Sequence, residues 1–176
     1  MNKLYTACIL FLFSYTTCYA QPDSEILRME LRCGNVDIQT WPDKAPLHVN
    51  QIKKLVEQGF YDGLSFHRVI PGFMAQTGDP TGTGAGGSKL PNIKAEFNDS
   101  PFTRGVVGMA RKPHPDSANS QFFIMFAPAP HLNGSYTAWG KVVSGMSCVD
   151  EIHPGSPPSD PDRINKMYFV NGEAAG

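Results

Sequence analysis

The sequence predicts an antiparallel β-barrel accompanied by two helices, and three observations carry that expectation. Short apolar runs of strand-like composition recur along the chain. Only two segments have helical periodicity. Gly (17) and Pro (15) are both frequent, which suits a turn-rich β protein better than a helical bundle. Closure would pair the otherwise exposed sheet edges, and the helices could plug the open ends. A sandwich of two sheets satisfies the same periodicity. A chain of 176 residues, 41% apolar and 18% charged, has room for one domain with a real core.

From the start of the chain, residues 1–20 read as a secretory signal and residues 21–176 as the domain. Lys3 precedes an apolar and aromatic run, Leu4 to Tyr15, that is too short for a membrane-spanning helix of about 20 residues. Cys18-Tyr19-Ala20 places small residues where cleavage after Ala20 requires them. A lipoprotein cut before Cys18 fits Tyr15-Thr16-Thr17 poorly, and an uncleaved anchor is the remaining alternative. Removing the segment leaves Cys33 and Cys148 as the cysteines, either bridged or as two buried thiols.

The strand-like runs are Ile26–Cys33, Val36–Trp41, Ser65–Val69, Phe73–Thr77, Val106–Arg111, Gln121–Phe126, Ala138–Val143 and Asn165–Val170. Val36, Ile38 and Thr40 alternate with Asp37 and Gln39, the period of a half-buried strand. Gly34-Asn35 is a hairpin signal. Pro46 to Gln58 gathers Val49, Ile52, Leu55 and Val56 on one stripe, with Pro at the start and Gly59 at the end. Gly145 to His153 does the same for Met146, Val149 and Ile152. Gly172 to Gly176 reads as a frayed tail.

Several functions are excluded. Fifteen basic residues against sixteen acidic ones, with no Lys/Arg run, give no footprint for nucleic acid. Gly82-Thr83-Gly84-Ala85-Gly86-Gly87 has the form of a dinucleotide fingerprint. It lies between Asp79-Pro80 and a Pro91 that blocks a following helix, so it reads as a flexible surface loop. Ser88 stands where a phosphate-binding loop needs Lys. The five histidines are scattered, with no H-E-x-x-H and no C-x-x-C, so neither a metal nor any other cofactor is expected. No G-x-S-x-G turn is present. Asn98-Asp99-Ser100 and Asn133-Gly134-Ser135 are glycosylation sequons in form only.

Two apolar runs carry polar residues that a core strand does not need. Arg68 lies inside Phe66-His67-Arg68-Val69-Ile70-Pro71-Gly72-Phe73-Met74-Ala75-Gln76-Thr77-Gly78-Asp79, and a buried guanidinium is costly unless paired or employed. In Ser120-Gln121-Phe122-Phe123-Ile124-Met125-Phe126, parity puts Gln121 and Phe123 on one face and Phe122, Ile124 and Phe126 on the other. One face can fill the interior while the other lines an outer groove. Taken singly, each run reads as a core strand with a snorkelling Arg or a satisfied Gln.

Together with Gly105…Met109-Ala110, Asn119-Ser120-Gln121-Phe122-Phe123-Ile124, Leu132-Asn133-Gly134 and Trp139-Gly140-Lys141-Val142, the sequence resembles the cyclophilins, the peptidyl-prolyl cis-trans isomerases. The resemblance runs from about Ile26 to Val170. It implies a closed eight-stranded antiparallel β-barrel capped by two α-helices, with the site on its outer wall. It makes Arg68, Gln76 and Phe73 the catalytic residues, and Met74, Ala110, Arg111, Gln121, Phe123, His131, Leu132 and Tyr136 the substrate-binding ones. The proline seat falls on Phe73, Met74, Phe123 and Leu132. Arg111 replaces the family's Asn, whose backbone holds the substrate. His131 replaces a Trp of many eukaryotic members, and Tyr136 a His, as in many bacterial ones.

The implied activity needs no cofactor, nucleophile or proton relay. Implied partners are proline-containing segments of unfolded or flexible polypeptides, together with cyclosporin at an affinity lowered by the missing Trp. The implied protein is a monomer that assists folding of exported chains. Short loops, Tyr136 and the absence of a Lys-Asp-Glu-Leu tail lean toward a bacterial periplasm. The alternatives are a non-catalytic proline-peptide binding module or chaperone using the same groove, and a structural barrel with no groove function.

Overall fold

The computed structural model describes residues 25–170. The expected signal segment, its cleavage after Ala20 and the expected frayed tail lie outside the described residues. Eight strands form one antiparallel sheet: β1 (Ile26–Glu30), β2 (Asn35–Thr40), β3 (Arg68–Ile70), β4 (Met74–Thr77), β5 (Val106–Met109), β6 (Phe122–Met125), β7 (Ala138–Ser144) and β8 (Lys166–Val170). Their order across the sheet is β3-β4-β6-β5-β7-β2-β1-β8. Two helices, α1 (Pro46–Glu57) and α2 (Met146–Asp150), pack against β8 and β2 respectively. Among the described residues no helix is long and apolar enough to cross a membrane.

The sheet curls into an open half-barrel, which corrects the expected closed barrel. Its edge strands β3 and β8 share no ladder. The gap is covered by irregular chain: Val69 and Gly155 exchange backbone bonds of 2.7 and 2.9 Å, Phe66 N–H donates to Asp162 O, and Ile164 N–H donates to Leu64 O. The covering segment contains Pro154, Pro157, Pro158 and Pro161. Proline lacks the N–H a ladder needs, so this stretch can shield an edge without becoming a strand.

Parity along β6 separates two apolar clusters. Phe122 and Ile124 enter the main core with Leu27, Ile38, Ile52, Trp139 and Val149. Phe123 and Met125 enter a second cluster on the opposite face with Met74, Phe102, Ala129 and Leu132. This second cluster is the ground on which the site stands. The expected two-face reading of this strand is therefore what the chain adopts.

Helix α1 buries His48, Val49, Ile52, Leu55 and Val56 on one stripe. It stops because Gly59 adopts φ 64°, a conformation that costs other residues a Cβ clash. Gly59 N–H donates to Val56 O and Phe60 N–H to Leu55 O, the paired bonds of a Schellman end. At the other end Ala45 offers no cap. The Glu96 carboxylate serves instead, accepting from Leu47 N–H and His48 N–H, each at 3.0 Å, and from His48 Nδ1 at 2.6 Å.

One local expectation shifts. The first hairpin turns on Arg32-Cys33, flanked by reciprocal Leu31–Gly34 backbone bonds, rather than on Gly34-Asn35. That turn brings Cys33 to Cys148 on α2 with Cα atoms 5.4 Å apart, and the two form a disulfide. Both sequon asparagines are engaged internally: Asn98 Nδ2 donates to Glu96 O and Ala138 O, and Asn133 Oδ1 accepts from Phe102 N–H.

Two outcomes follow from these contacts. Burial holds the His48 pKa below the ordinary histidine value of 6.5, and the Glu96 charge only partly offsets it. Below that pH the unfolded chain takes up a proton that the folded protein resists, so stability falls on acidification. Tm should drop between about pH 7 and pH 5, and drop less in His48→Asn; a flat wild-type Tm there contradicts this role. Reduction of Cys33–Cys148, which closes a sequence separation of 115, should cost about 2–4 kcal/mol in urea unfolding. Identical midpoints with and without reductant would refute it.

Candidate active site

The β3–β4 hairpin brings Arg68 and Gln76 into one cross-strand pair. The turn is Ile70-Pro71-Gly72-Phe73, closed by Phe73 N–H to Ile70 O at 3.0 Å, with Gly72 at φ 71° supplying the conformation that a type II turn requires. Gln76 in turn sits opposite Phe123 on β6, and Met74 opposite Met125. A three-stranded register thus places a cation, an amide and an aromatic ring side by side on the second-cluster face.

These residues border an open pocket of about 390 Å³. Phe123 is 5% exposed, Met74 1% and Leu132 7%, so the floor of the seat is apolar and packed into the fold. Phe73 faces His131 at 5.8 Å between ring centroids on one side. On the other, Tyr136 meets Phe123 edge-on at 5.9 Å. A turn of 3₁₀ helix, Pro130–Leu132, not expected from the sequence, delivers His131 and Leu132. Behind the seat Phe123 stacks on Phe102 at 5.7 Å across Gly108. A Cβ at Gly108 would lie 2.5 Å from both rings, so only glycine allows this stack.

The Arg68 guanidinium reaches into the pocket and makes no ion pair among the described residues. Its Nη1 donates to Gln76 Oε1 at 3.4 Å and lies 3.8 Å from Met74 Sδ. Gln76 Nε2 donates to Gln121 Oε1 at 2.8 Å. Gln121 Nε2 donates to Gly84 O and Gly86 O at 3.0 and 2.7 Å. A relay of amides therefore ties the cation to the glycine loop without neutralising it.

That loop lies on the surface, as the sequence reading has it, and is tied down by hydrogen bonds that the reading does not anticipate. Asp79, 1% exposed, accepts from Thr81 N–H and Thr81 Oγ1 through Oδ1, and from Gly84 N–H and Gly86 N–H through Oδ2, over 2.6–3.2 Å. Burial alone would raise the Asp79 pKa, but these donors outweigh it and hold the carboxyl below its ordinary value. His67, packed near Gly84 and 5% exposed, is held below its ordinary pKa by burial, partly offset by the Asp79 charge.

All the sequence-predicted site residues but one line the pocket: Arg68, Phe73, Met74, Gln76, Ala110, Arg111, Phe123, His131, Leu132 and Tyr136. Gln121 borders an adjoining pocket and accepts a hydrogen bond from Gln76. The Arg111 side chain is itself engaged. Its guanidinium lies 4.7 Å from the Tyr136 ring centre and 5.9 Å from that of Phe97, and it donates to Ser135 O, Lys112 O and Pro113 O. Asp79, Gly84 and Gly86 were missed as site residues. The Asp-Pro-Thr-Gly start of the loop was their one signal, since Asp in such a turn accepts from backbone amides nearby. Among the described residues no cluster of His, Cys, Asp or Glu could hold a metal ion.

Comparison with known proteins fits this geometry. The family described as cyclophilin type peptidyl-prolyl cis-trans isomerase matches residues 26–169. The chain is 51% identical over 167 residues to a probable peptidyl-prolyl cis-trans isomerase of Brucella abortus, covering 86% of this chain and 85% of that protein. A cyclophilin structure from Hirschia baltica superposes with a TM-score of 0.78 at 29% identity, covering 86% of this chain and 76% of that one. A Cryptosporidium parvum cyclophilin type isomerase, solved in the presence of the dipeptide Ala-Pro, gives a TM-score of 0.78 at 27% identity over 84% of this chain and all of that one.

The loop's dependence on one carboxylate is testable by amide hydrogen exchange. Asp79→Asn weakens charge-assisted bonds, so Thr81, Gly84 and Gly86 amides should exchange on the order of tenfold faster or more, while β5 amides hold. Unchanged protection in the loop would show that Asp79 does not hold it.

Proposed function

This chain belongs to the cyclophilin-type peptidyl-prolyl cis-trans isomerases, and from that premise we propose that Arg68 is its catalytic donor and that the Phe73–Phe123–Leu132 hollow is its proline seat. The activity is rotation about X–Pro bonds, whose barrier of about 18–20 kcal/mol comes from amide resonance. An acceleration of about 10⁵ lowers that barrier by about 7 kcal/mol.

The observation that carries the proposal is a cation beside an apolar seat, held by an amide and unneutralised. As the amide twists, the prolyl nitrogen loses conjugation and gains a lone pair. A fixed N–H donor there interacts better with the twisted state than with either planar one, which is the condition for catalysis. The guanidinium remains protonated throughout and keeps its planar fork. Partial desolvation by Phe73, Met74 and Phe123 strengthens its field. Gln76 is a positioning residue: its Oε1 orients Arg68 while its Nε2 is held by Gln121. A single hydrogen bond does not supply the whole 7 kcal/mol, so the hollow contributes the rest by fitting the twisted ring and chain. A binding-only groove would need the seat and leaves the free cation without a role.

The substrates we propose are proline-containing flexible or unfolded segments of exported polypeptides, in a bacterial periplasm, where the protein assists folding. The Cys33–Cys148 disulfide supports an oxidising compartment, and the apolar run at Leu4–Phe13 supports export. One chain supplies every residue of the site, in keeping with a monomer. Cyclosporin binds with reduced affinity in this reading, because His131 offers less surface than the Trp it replaces.

Arg68→Ala should fold as the wild type does by circular dichroism and lose about 10²–10³ in kcat/KM on a proline tetrapeptide, the size typical of removing a preorganised donor. Full activity in a folded Arg68→Ala protein would refute the assignment.

A further inference from the structure

Phe73 walls the proline seat from the turn between β3 and β4, and that turn is packed on one side only. The half-buried Phe73 ring leans on the second apolar cluster. Pro71 and Gly72 are exposed, and behind them lies an open cavity of about 360 Å³. Phe126, Ile152 and the Arg104–Asp150 ion pair border the same cavity. On this side the place of Phe73 is therefore set by hydrogen bonds more than by packing.

One bond matters most. Phe73 O accepts from Phe126 N–H at 2.9 Å. It is the rung just beyond Met74–Met125, the last pair of the β4–β6 ladder. A terminal rung frays, because no further pairing resists its opening. The chain after Phe126 offers no continuation: it leaves the sheet, and Pro128 and Pro130 have no N–H to donate.

Arg104 supplies the missing anchor. Its Nη1 donates to Phe126 O at 3.1 Å and to Asp150 Oδ1 at 2.8 Å, and its Nη2 donates to Asp150 Oδ2 at 2.5 Å. Phe126 is thus gripped at both polar ends, its N–H by Phe73 and its C=O by Arg104. The two-pronged pairing with Asp150 on α2 fixes the plane of the guanidinium. The Arg104 backbone is held beside β5, where Gly105 N–H donates to Met125 O at 2.9 Å and Val106 N–H to Thr103 O at 3.1 Å. Arg104 borders the cavity behind the turn and not the substrate pocket. Its ion pair is about half exposed on both partners, so it adds little to global stability.

We propose that Arg104 is a positioning residue for isomerisation: by tying Phe126 O to α2 it keeps the Phe126–Phe73 rung closed and so sets where Phe73 stands over the proline ring. The inference rests on the isomerase reading and adds to it a residue that never touches the substrate.

The test compares wild type, Arg104→Ala and Arg104→Lys in three measurements: turnover of a proline tetrapeptide, Tm, and amide hydrogen exchange. Arg104→Ala should lower kcat/KM roughly three- to tenfold, because a small displacement of a group fitted to the reacting bond slows the reaction. Its Tm should stay within about 2 °C of wild type. The Phe126 amide should exchange on the order of tenfold faster while the Ile124 amide holds. Arg104→Lys, which can still donate to Phe126 O, should recover part of the turnover. Unchanged turnover in Arg104→Ala overturns the inference and leaves the isomerase reading intact. A loss of turnover with the Phe126 amide unchanged overturns it as well, as does a loss accompanied by a falling Tm and faster exchange along all of β6, since neither effect passes through this rung. Absence of turnover by the wild type would instead overturn the isomerase reading, and this inference with it.

Discussion

An arginine held by a carboxylate has its charge compensated before any substrate arrives. Arg68 is held by the Gln76 amide, so its geometry is fixed while its field stays directed at the pocket. A partly desolvated cation without a counter-ion is unfavourable in isolation. Here its surroundings are built to tolerate it: one edge is open to solvent, Met74 sulfur lies against it, and the Gln76–Gln121–glycine-loop relay spreads the polar contacts over backbone carbonyls. Asp79 anchors the far end of that relay from a buried position where its charge is satisfied by amides rather than by Arg68.

Packing sets how sharply that donor is aimed. The Arg68–Gln76–Phe123 register is fixed by strand pairing on both sides of β4. Alternation along β6 anchors the same strand in two clusters, so a slip of one residue would exchange Phe122 with Phe123 and destroy both. The seat is therefore part of the folded interior's own packing. Gly108 shows how tight that arrangement is, since the rings on either side of it leave no room for a methyl group.

Much of this was legible in the sequence because it is local. The β6 alternation, the α1 stripe ending at Gly59, and an Arg in an apolar strand each depend on neighbouring residues, and the linked motifs then identified the groove. What was not legible depends on residues distant in the chain. Barrel closure fails because a proline-rich stretch lies along the sheet edge, a pairing no periodicity reveals. Whether Cys33 meets Cys148 depends on a hairpin turn and a helix far apart in sequence. The hydrogen bonding of the glycine loop depends on where Asp79 points and on Gln121, distant in the chain; composition alone does not reveal it. The Pro130–Leu132 turn is too short to leave a periodic signature.

The central claim is that Arg68 acts on the twisted amide rather than on the bound ground state. The most direct measurement separates the two on one sample: exchange spectroscopy of a proline peptide at saturating protein, beside a titration of its affinity, for wild type and Arg68→Ala. The expected result is an affinity within about threefold and a bound-state exchange rate slowed by about a hundredfold or more. Exchange that remains fast on the bound variant, or a loss accounted for wholly by weaker binding, would contradict it.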